Sequence, residues 1–334
     1  MKRIGNLYEK IYDIENLRLA HHNARKGKGW YKEVKMVNAD EDKYLYEIQK
    51  MLINHTFKTS EYTIFKKKDT GKERTIFKLP YYPDRIVQWA IIQVIEPYLL
   101  KYFTLDTYSA IPGRGIHYGV KKIKKQMRYH KDDCRYCLKL DVRKFYPSIN
   151  RDVLKQQYRR MFKDPELLWL IDEIIDSPPA DTTGVPIGNY LSQYSGNLYL
   201  ATFDHWIKEV KRVKFYHRYM DDIVVFGRSK EELRSLFADI KIYLSDNLKL
   251  TIKDNWQIFP TYIRGLDYLG YRFFGDYTLL RKSTCKAIKH KILRAERPLT
   301  EHTLQSMQSY RGWLVHCDAH RFDCRWVAPM LKGA

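Results

Sequence analysis

The sequence predicts an α+β fold, and three observations carry the prediction. Residues 61–79 alternate like a β-hairpin, with Tyr62, Ile64 and Phe65 on one arm and Thr75, Ile76 and Phe77 on the other. Tyr136 to Val142 is an apolar run of strand length, and Phe215 to Gly227 reads as two short strands around a turn. Elsewhere the apolar residues recur at helical spacing. Ile86, Val87, Ala90, Ile91 and Val94 share one face, and so do Leu233, Leu236, Phe237, Ile240, Leu244 and Leu248.

In chain order, residues 1–57 read as helical and basic, with a polar break at Arg25-Lys26-Gly27-Lys28-Gly29. The hairpin arms are joined by Lys66-Lys67-Lys68-Asp69-Thr70-Gly71-Lys72, which supplies turn chemistry. A helix from Asp84 to Leu100 follows, with Pro97 near its end. Lys121, Lys122, Lys124, Lys125, Arg128 and Lys131 form a basic helical segment, read equally as a solvated face or a phosphate-tracking surface. Gly188 to Val210 reads as a long helix after a Gly-Pro turn. Ser229 and Glu232 fit a capping box ahead of the helix that carries Leu233. Short strands return between Tyr268 and Leu280. The remainder is helical and basic, with Arg281, Lys282, Lys286, Lys289, Lys291, Arg294 and Arg297 set against one acid, Glu296.

Charge narrows the partners. The 334 residues hold 60 Lys+Arg and 39 Asp+Glu, a net charge of +21. Such an excess argues against a small neutral substrate as the main partner and favours a polyanion, nucleic acid or an anionic membrane surface. Aromatics reach 14%, with 27 Tyr, a residue on which bases and sugars can stack; a Tyr-rich core explains the figure equally well. Met1 to Asn6 lacks the apolar region of a secretory leader, and the stretch from Ile86 to Leu100 is broken by Gln88, Gln93, Glu96 and Pro97. No membrane partner is expected. The five cysteines include Cys134-x-x-Cys137, and Cys317 and Cys324 lie near His316 and His320. That spacing is a poor zinc signal, and reduced cysteines in the cytoplasm are the expectation.

Three carboxylates stand out. Asp141 ends an apolar strand, where a charge is costly unless solvated, paired or bound to metal. Downstream, Tyr219-Met220-Asp221-Asp222 places two adjacent carboxylates between β-type segments. In a tight turn both can face one site, their repulsion is relieved by a cation, and hard divalent ions prefer such oxygen ligands.

Tyr219-Met220-Asp221-Asp222 resembles the Y-x-D-D box of reverse transcriptases. Asp141-Val142-Arg143-Lys144-Phe145-Tyr146 resembles the first palm motif of that family, and residues 184–193 resemble the third, a Gly-bearing turn into a helix. Lys67 to Arg74 looks like the fingers loop, Leu269-Gly270-Tyr271 like the primer grip, and Leu279 to Ser283 like the start of a thumb. Ile187-Gly188 with Ser192-Gln193 stands where most members carry Gln-Gly and Ser-Pro. This variant looks like the reverse transcriptases of diversity-generating retroelements, as do Asp84-Arg85-Ile86-Val87-Gln88 and Ser309-Tyr310-Arg311-Gly312-Trp313. Gly113-Arg114-Gly115 matches only loosely.

The resemblance implies a right-hand polymerase fold: a basic extension over 1–57, fingers over 58–135, an RRM-like antiparallel palm over 136–277 and a short helical thumb over 278–334. It implies that Asp141, Asp221, Asp222 and the backbone carbonyl of Val142 hold two Mg²⁺ ions, with Mn²⁺ able to substitute, and that the three Asp are catalytic. Lys67 and Arg74 would clamp the triphosphate, Tyr146 would lie under the sugar and exclude a 2′-hydroxyl, and Gly188 would let backbone approach the nucleotide. Ile187, lacking the amide of Gln, would hold the nucleotide less rigidly and lower fidelity. Ser192, Gln193, Lys121, Lys125, Arg281 and Lys282 would meet nucleic acid.

The partners implied are a noncoding template RNA, the cDNA product, dNTPs, and a small helical accessory protein or oligomer, in the cytoplasm of a bacterial or phage-infected cell. Rival readings are a phage-defence or retron-like enzyme with its own noncoding RNA, and a non-catalytic RNA-binding scaffold. No splicing, RNase H or endonuclease domain is expected after the thumb.

Overall fold

The computed structural model describes residues 2–69, 72–179, 183–295 and 299–332. The chain forms two compact units, Met1–Thr104 with Val142–Val210 and Ile242–Thr251, and Leu105–Asp141 with Lys211–Lys241 and Ile252–Ala334. Consecutive sequence blocks are therefore not the units in which it packs.

The first unit is mainly helical, and its helix starts are written in short acidic side chains. Asp13 accepts the backbone N–H groups of Glu15 and Asn16 at 3.0 and 3.2 Å, opening Ile14–Ala24. Asp164 caps Pro165–Asp176, with Pro165 in the first turn, where its missing N–H costs nothing. The same carboxylate accepts the N–H groups of Leu7 and Tyr8 at 2.7 and 3.0 Å, so one buried Asp satisfies two helix starts. Ile86–Tyr102 and Tyr190–His205 are buried over most of their surface and form the core of this unit. The hairpin consists of β1 (Thr63–Asp69) and β2 (Lys72–Lys78), antiparallel, in register from Thr63↔Lys78 to Asp69↔Lys72. The turn positions Thr70 and Gly71 lie outside the described residues.

The second unit holds a five-stranded sheet of order β3-β5-β6-β4-β7, with β3 Thr107–Tyr108, β4 Tyr136–Asp141, β5 Tyr216–Tyr219, β6 Asp222–Gly227 and β7 Gln257–Pro260. Its ladders are antiparallel except β3 with β5. A three-stranded meander follows: β8 Leu266–Tyr268, β9 Tyr271–Phe273 and β10 Thr278–Leu280. Cys134 and Cys137 sit in the core of this unit with Ile123, Met127, Phe226 and Tyr271. Burial pushes the Cys134 thiol up to about 12, which suits a small apolar core residue.

Two local expectations change. The basic segment forms the helix Ile116–Tyr129, but Val120, Ile123 and Met127 bury one face of it. Lys122 there donates to the Leu105 carbonyl at 3.0 Å and pairs with Asp106, so it is not free to track phosphate. Half of the capping box forms as expected, with Ser229 Oγ accepting the Glu232 N–H at 3.1 Å, while the return bond is displaced by one residue: the Glu232 carboxylate accepts from the Arg228 N–H at 2.9 Å. In the basic C-terminal segment, Glu296 and Arg297 lie outside the described residues. No helix among the described residues is long and apolar enough to cross a membrane.

Candidate active site

In the second unit the sheet register brings carboxylates together. β4 runs apolar to its last residue, Asp141, and β6 begins at Asp222; the two are direct partners across the antiparallel pair. Tyr219 pairs with Asp222, so Met220 and Asp221 form a two-residue loop between β5 and β6. Met220 has φ 53°, the left-handed conformation that hairpin loops of this length use. For a non-glycine residue that conformation costs about 1–2 kcal/mol. Arg218, fully buried, donates from Nη1 to the Met220 carbonyl at 3.0 Å and so ties the strained loop to the sheet.

The local electrostatics are those of acids held in short supply of solvent. Burial, then the neighbouring Asp141, pushes the Asp221 carboxyl up to about 7. Burial also pushes Asp222 up to about 6, against the opposing pull of Lys139, whose ammonium is 3.5 Å from its carboxylate. The Lys253 ammonium pairs with the Asp141 carboxylate. A second layer supports these groups. Lys139 also donates to the Asp267 carbonyl at 2.7 Å, Tyr268 donates to the Asp222 carbonyl at 3.1 Å, and Arg281 donates to Asp267 at 2.6 Å. Beside them opens a cavity of about 400 Å³, lined by Lys139, Asp141, Asp222, Arg264, Arg272 and Arg281 among others. A lining that mixes carboxylates with lysine and arginines suits a polyanion that arrives with cations.

Among the described residues, no group of three or more Asp, Glu, His or Cys side chains is placed to hold a metal ion. The donor chemistry nevertheless fits a hard divalent cation. The donors are carboxylate oxygens, Asp141 and Asp221 repel each other, and Asp222 Oδ1 is buried with no hydrogen-bond partner. Val142 follows β4 directly, with its side chain buried.

The nucleotide-binding candidates fall in the first unit. Lys67 and Arg74 are register partners on β1 and β2, both exposed, so one hairpin face presents two cations side by side. The Phe77 N–H donates to the Ile187 carbonyl at 3.0 Å, which fastens β2 to the Ile187-Gly188 turn. Gly188 has φ 129°, and a Cβ there would lie 2.6 Å from the Phe77 carbonyl oxygen, so only glycine fits. Tyr146 is half-buried, its carbonyl accepts the Val185 N–H at 3.0 Å, and its ring lies against Gly196.

The remaining candidates separate by exposure. Ser192 is buried and Gln193 exposed on Tyr190–His205. Lys121, Lys125 and Lys282 are exposed, the first two on Ile116–Tyr129 and the last at the start of Lys282–Leu293, whereas Arg281 is engaged with Asp267. Sequence reasoning missed Lys139, Lys253, Arg218, Arg264 and Arg272. Lys139 had a signal, since it shares a strand face with Asp141 two residues on; the others are brought close only by tertiary pairing.

Comparisons with known proteins identify the family and the fold. The reverse transcriptase (RNA-dependent DNA polymerase) family matches residues 65–273. Protein YkfC of Escherichia coli (strain K12) is 23% identical over 249 residues, which cover 61% of this chain and 64% of that protein. The chain thus spans less than two thirds of the curated relative it matches. Telomerase from Candida albicans in complex with the TWJ fragment of telomeric RNA superposes with a TM-score of 0.54 at 10% identity, covering 82% of this chain and 61% of that one. Apo telomerase from Candida tropicalis gives 0.49 at 11% identity, over 64% and 47%. The likeness to the Candida albicans structure shows that the α+β architecture is the right-hand polymerase fold.

Proposed function

The chain belongs to the reverse transcriptase family, and we propose that it is an RNA-directed DNA polymerase that copies a dedicated noncoding RNA into cDNA with low fidelity. The observation that carries this reading is the pairing of Asp141 with Asp222 across β4 and β6, with Asp221 in the adjoining strained loop. The primer 3′-hydroxyl attacks the α-phosphorus of a dNTP, the new phosphodiester bond forms, and pyrophosphate leaves with the old one.

Asp141 and Asp221, with Asp222 and the Val142 carbonyl beside them, would hold divalent cations, Mg²⁺ or Mn²⁺. When bound, such ions stabilise the attacking and leaving oxygens. The remaining work is positioning. Lys67 and Arg74 clamp the triphosphate, Arg as a fork and Lys as a point charge. Tyr146 lies under the sugar and excludes a 2′-hydroxyl, and Gly188 lets the backbone approach the nucleotide. In the segments 58–135, 136–277 and 278–334 we read fingers, palm and thumb, with Gln193, Lys121, Lys125 and Lys282 toward template and primer.

Ile187-Gly188 and Ser192-Gln193 support a role in a diversity-generating retroelement, with a small helical accessory protein as partner. The purified chain should extend an RNA-templated primer in Mg²⁺. Asp221→Ala should lower extension by about a thousandfold and leave RNA retention on a filter unchanged. Synthesis retained in that variant would sink the assignment. Sequencing the RNA and cDNA that co-purify with the protein tests the dedicated template.

A further inference from the structure

The first unit contains a second cavity, of about 680 Å³, lined by none of the residues placed in nucleotidyl transfer. Ligand-binding clefts commonly measure about 300–1,000 Å³. Its walls are Tyr102, Met161 and Leu198 on the apolar side and Arg3, Arg159, Arg160 and Gln157 on the polar side. Three structural features make it a built site. Backbone pairing of Ile4 with Met161 and Lys163, at 2.9 and 2.8 Å, holds Arg3 beside the end of the helix Arg151–Met161, which carries Arg160 in its last turn. Arg159 is occupied by Asp172, but Arg3 and Arg160 have no carboxylate partner among the described residues.

Gln157 is 3% exposed, and its amide orientation is fixed because Nε2 donates to the Tyr199 carbonyl at 3.0 Å. Its Oε1 is therefore a true acceptor, and it is buried with no partner. A buried acceptor left empty costs stability unless something donates to it. The Tyr102 ring is held in place by His205, with centroids 4.7 Å apart and the His205 Nε2 2.9 Å from the Tyr102 carbonyl.

A ligand that satisfies this set carries a negative group for two arginines, a hydrogen-bond donor for Gln157 and a flat apolar body. We propose that this cavity is a nucleotide-binding site, taking a nucleoside phosphate either free or as the 5′-phosphorylated end of an RNA. The arginines grip the phosphate as forks, and the base or a ribose hydroxyl donates to Gln157 Oε1.

The test is equilibrium dialysis of the full-length Asp141→Ala protein in EDTA, so that metal-dependent nucleotide binding at the polymerase centre does not contribute. The probes are ATP and a short RNA with a 5′-phosphate or a 5′-hydroxyl. One saturable site is expected, weakened about tenfold or more in Arg3→Glu/Arg160→Glu. The thermal midpoint of that variant should match its parent. Tighter binding of ATP assigns the free nucleotide, and a preference for the 5′-phosphorylated RNA over its 5′-hydroxyl form assigns an RNA end. No saturable binding of either probe, or binding that the two arginine substitutions leave intact, overturns the proposal. Gln157→Met, which removes the acceptor, gives a second reading: affinity unchanged by it would also count against the site.

Discussion

Lys253 holds Asp141 by two bonds at once: its N–H donates to the Asp141 carbonyl at 2.9 Å, and its ammonium pairs with the Asp141 carboxylate. The ammonium occupies the charge that a cation would otherwise neutralise. Lys253→Met should therefore leave Asp141 and Asp221 repelling each other, lowering stability without metal by about 1 kcal/mol. It should also enlarge the rise in thermal midpoint on adding Mg²⁺. A midpoint gain equal to that of the unaltered protein would show that Lys253 and the metal do not compete.

Arg218 is expected to act through the loop it holds. Removing its guanidinium in Arg218→Met strips the Met220 carbonyl of a donor inside a buried region, at a cost of about 1–3 kcal/mol. With Met220 at positive φ, the freed loop relaxes and Asp221 moves. The kcat for primer extension should fall about tenfold or more, with KM for dNTP little changed. Arg218→Lys keeps the charge but not the fork and should recover part of the loss. A purely structural role would lower the yield of folded protein and leave kcat per folded molecule unchanged.

Ile187 is proposed to meet the nucleotide, and the turn that carries it is tightly fixed. Its carbonyl is fixed by Phe77 and the next residue is a glycine that tolerates no Cβ, so the turn is rigid and the half-buried side chain alone can vary. Ile187→Gln adds an amide donor and acceptor at that position. Misincorporation in sequenced cDNA should drop by about tenfold, and an unchanged error spectrum would remove Ile187 from the account of fidelity.

What the sequence disclosed, and what it hid, divides along local and non-local lines. Asp141 and Asp221-Asp222 stood out in the sequence through their resemblance to the palm motifs of reverse transcriptases, the strand-tip and loop positions alone being open to a plain turn reading. The β4–β6 register sets Asp141 opposite Asp222. The hairpin of β1 and β2 was legible from alternation and turn residues. The lysine that pairs with Asp141 was not. Lys253 lies far along the chain from Asp141, and nothing near it in the sequence distinguishes it from any other lysine. β7 is four residues ending in Pro260, too short for a periodic signal, yet it flanks β4. The interleaving of segments in the two compact units has no local signature, because it depends on which strand pairs with which.

His21 predicts the acid response of the first unit. Arg25 and His21 both donate to Asn38 Oδ1 at 2.9 Å, which fixes that atom as an acceptor and puts the proton of neutral His21 on Nε2. Nδ1 then accepts from the Tyr81 hydroxyl at 2.7 Å. Burial pulls the His21 pKa below its ordinary value; Asn38 and Glu41 oppose the shift, and Arg25 and His22 reinforce it. The unfolded chain consequently takes up the proton at a higher pH than the folded one. Stability is fully present above the ordinary histidine pKa of about 6.5 and falls as pH drops through it toward the folded value. The slope for this one group cannot exceed about 1.4 kcal/mol per pH unit. His21→Gln should flatten the loss of thermal midpoint between about pH 7 and pH 5, measured by circular dichroism without metal. An identical pH profile in the variant would show that other groups set the acid limit.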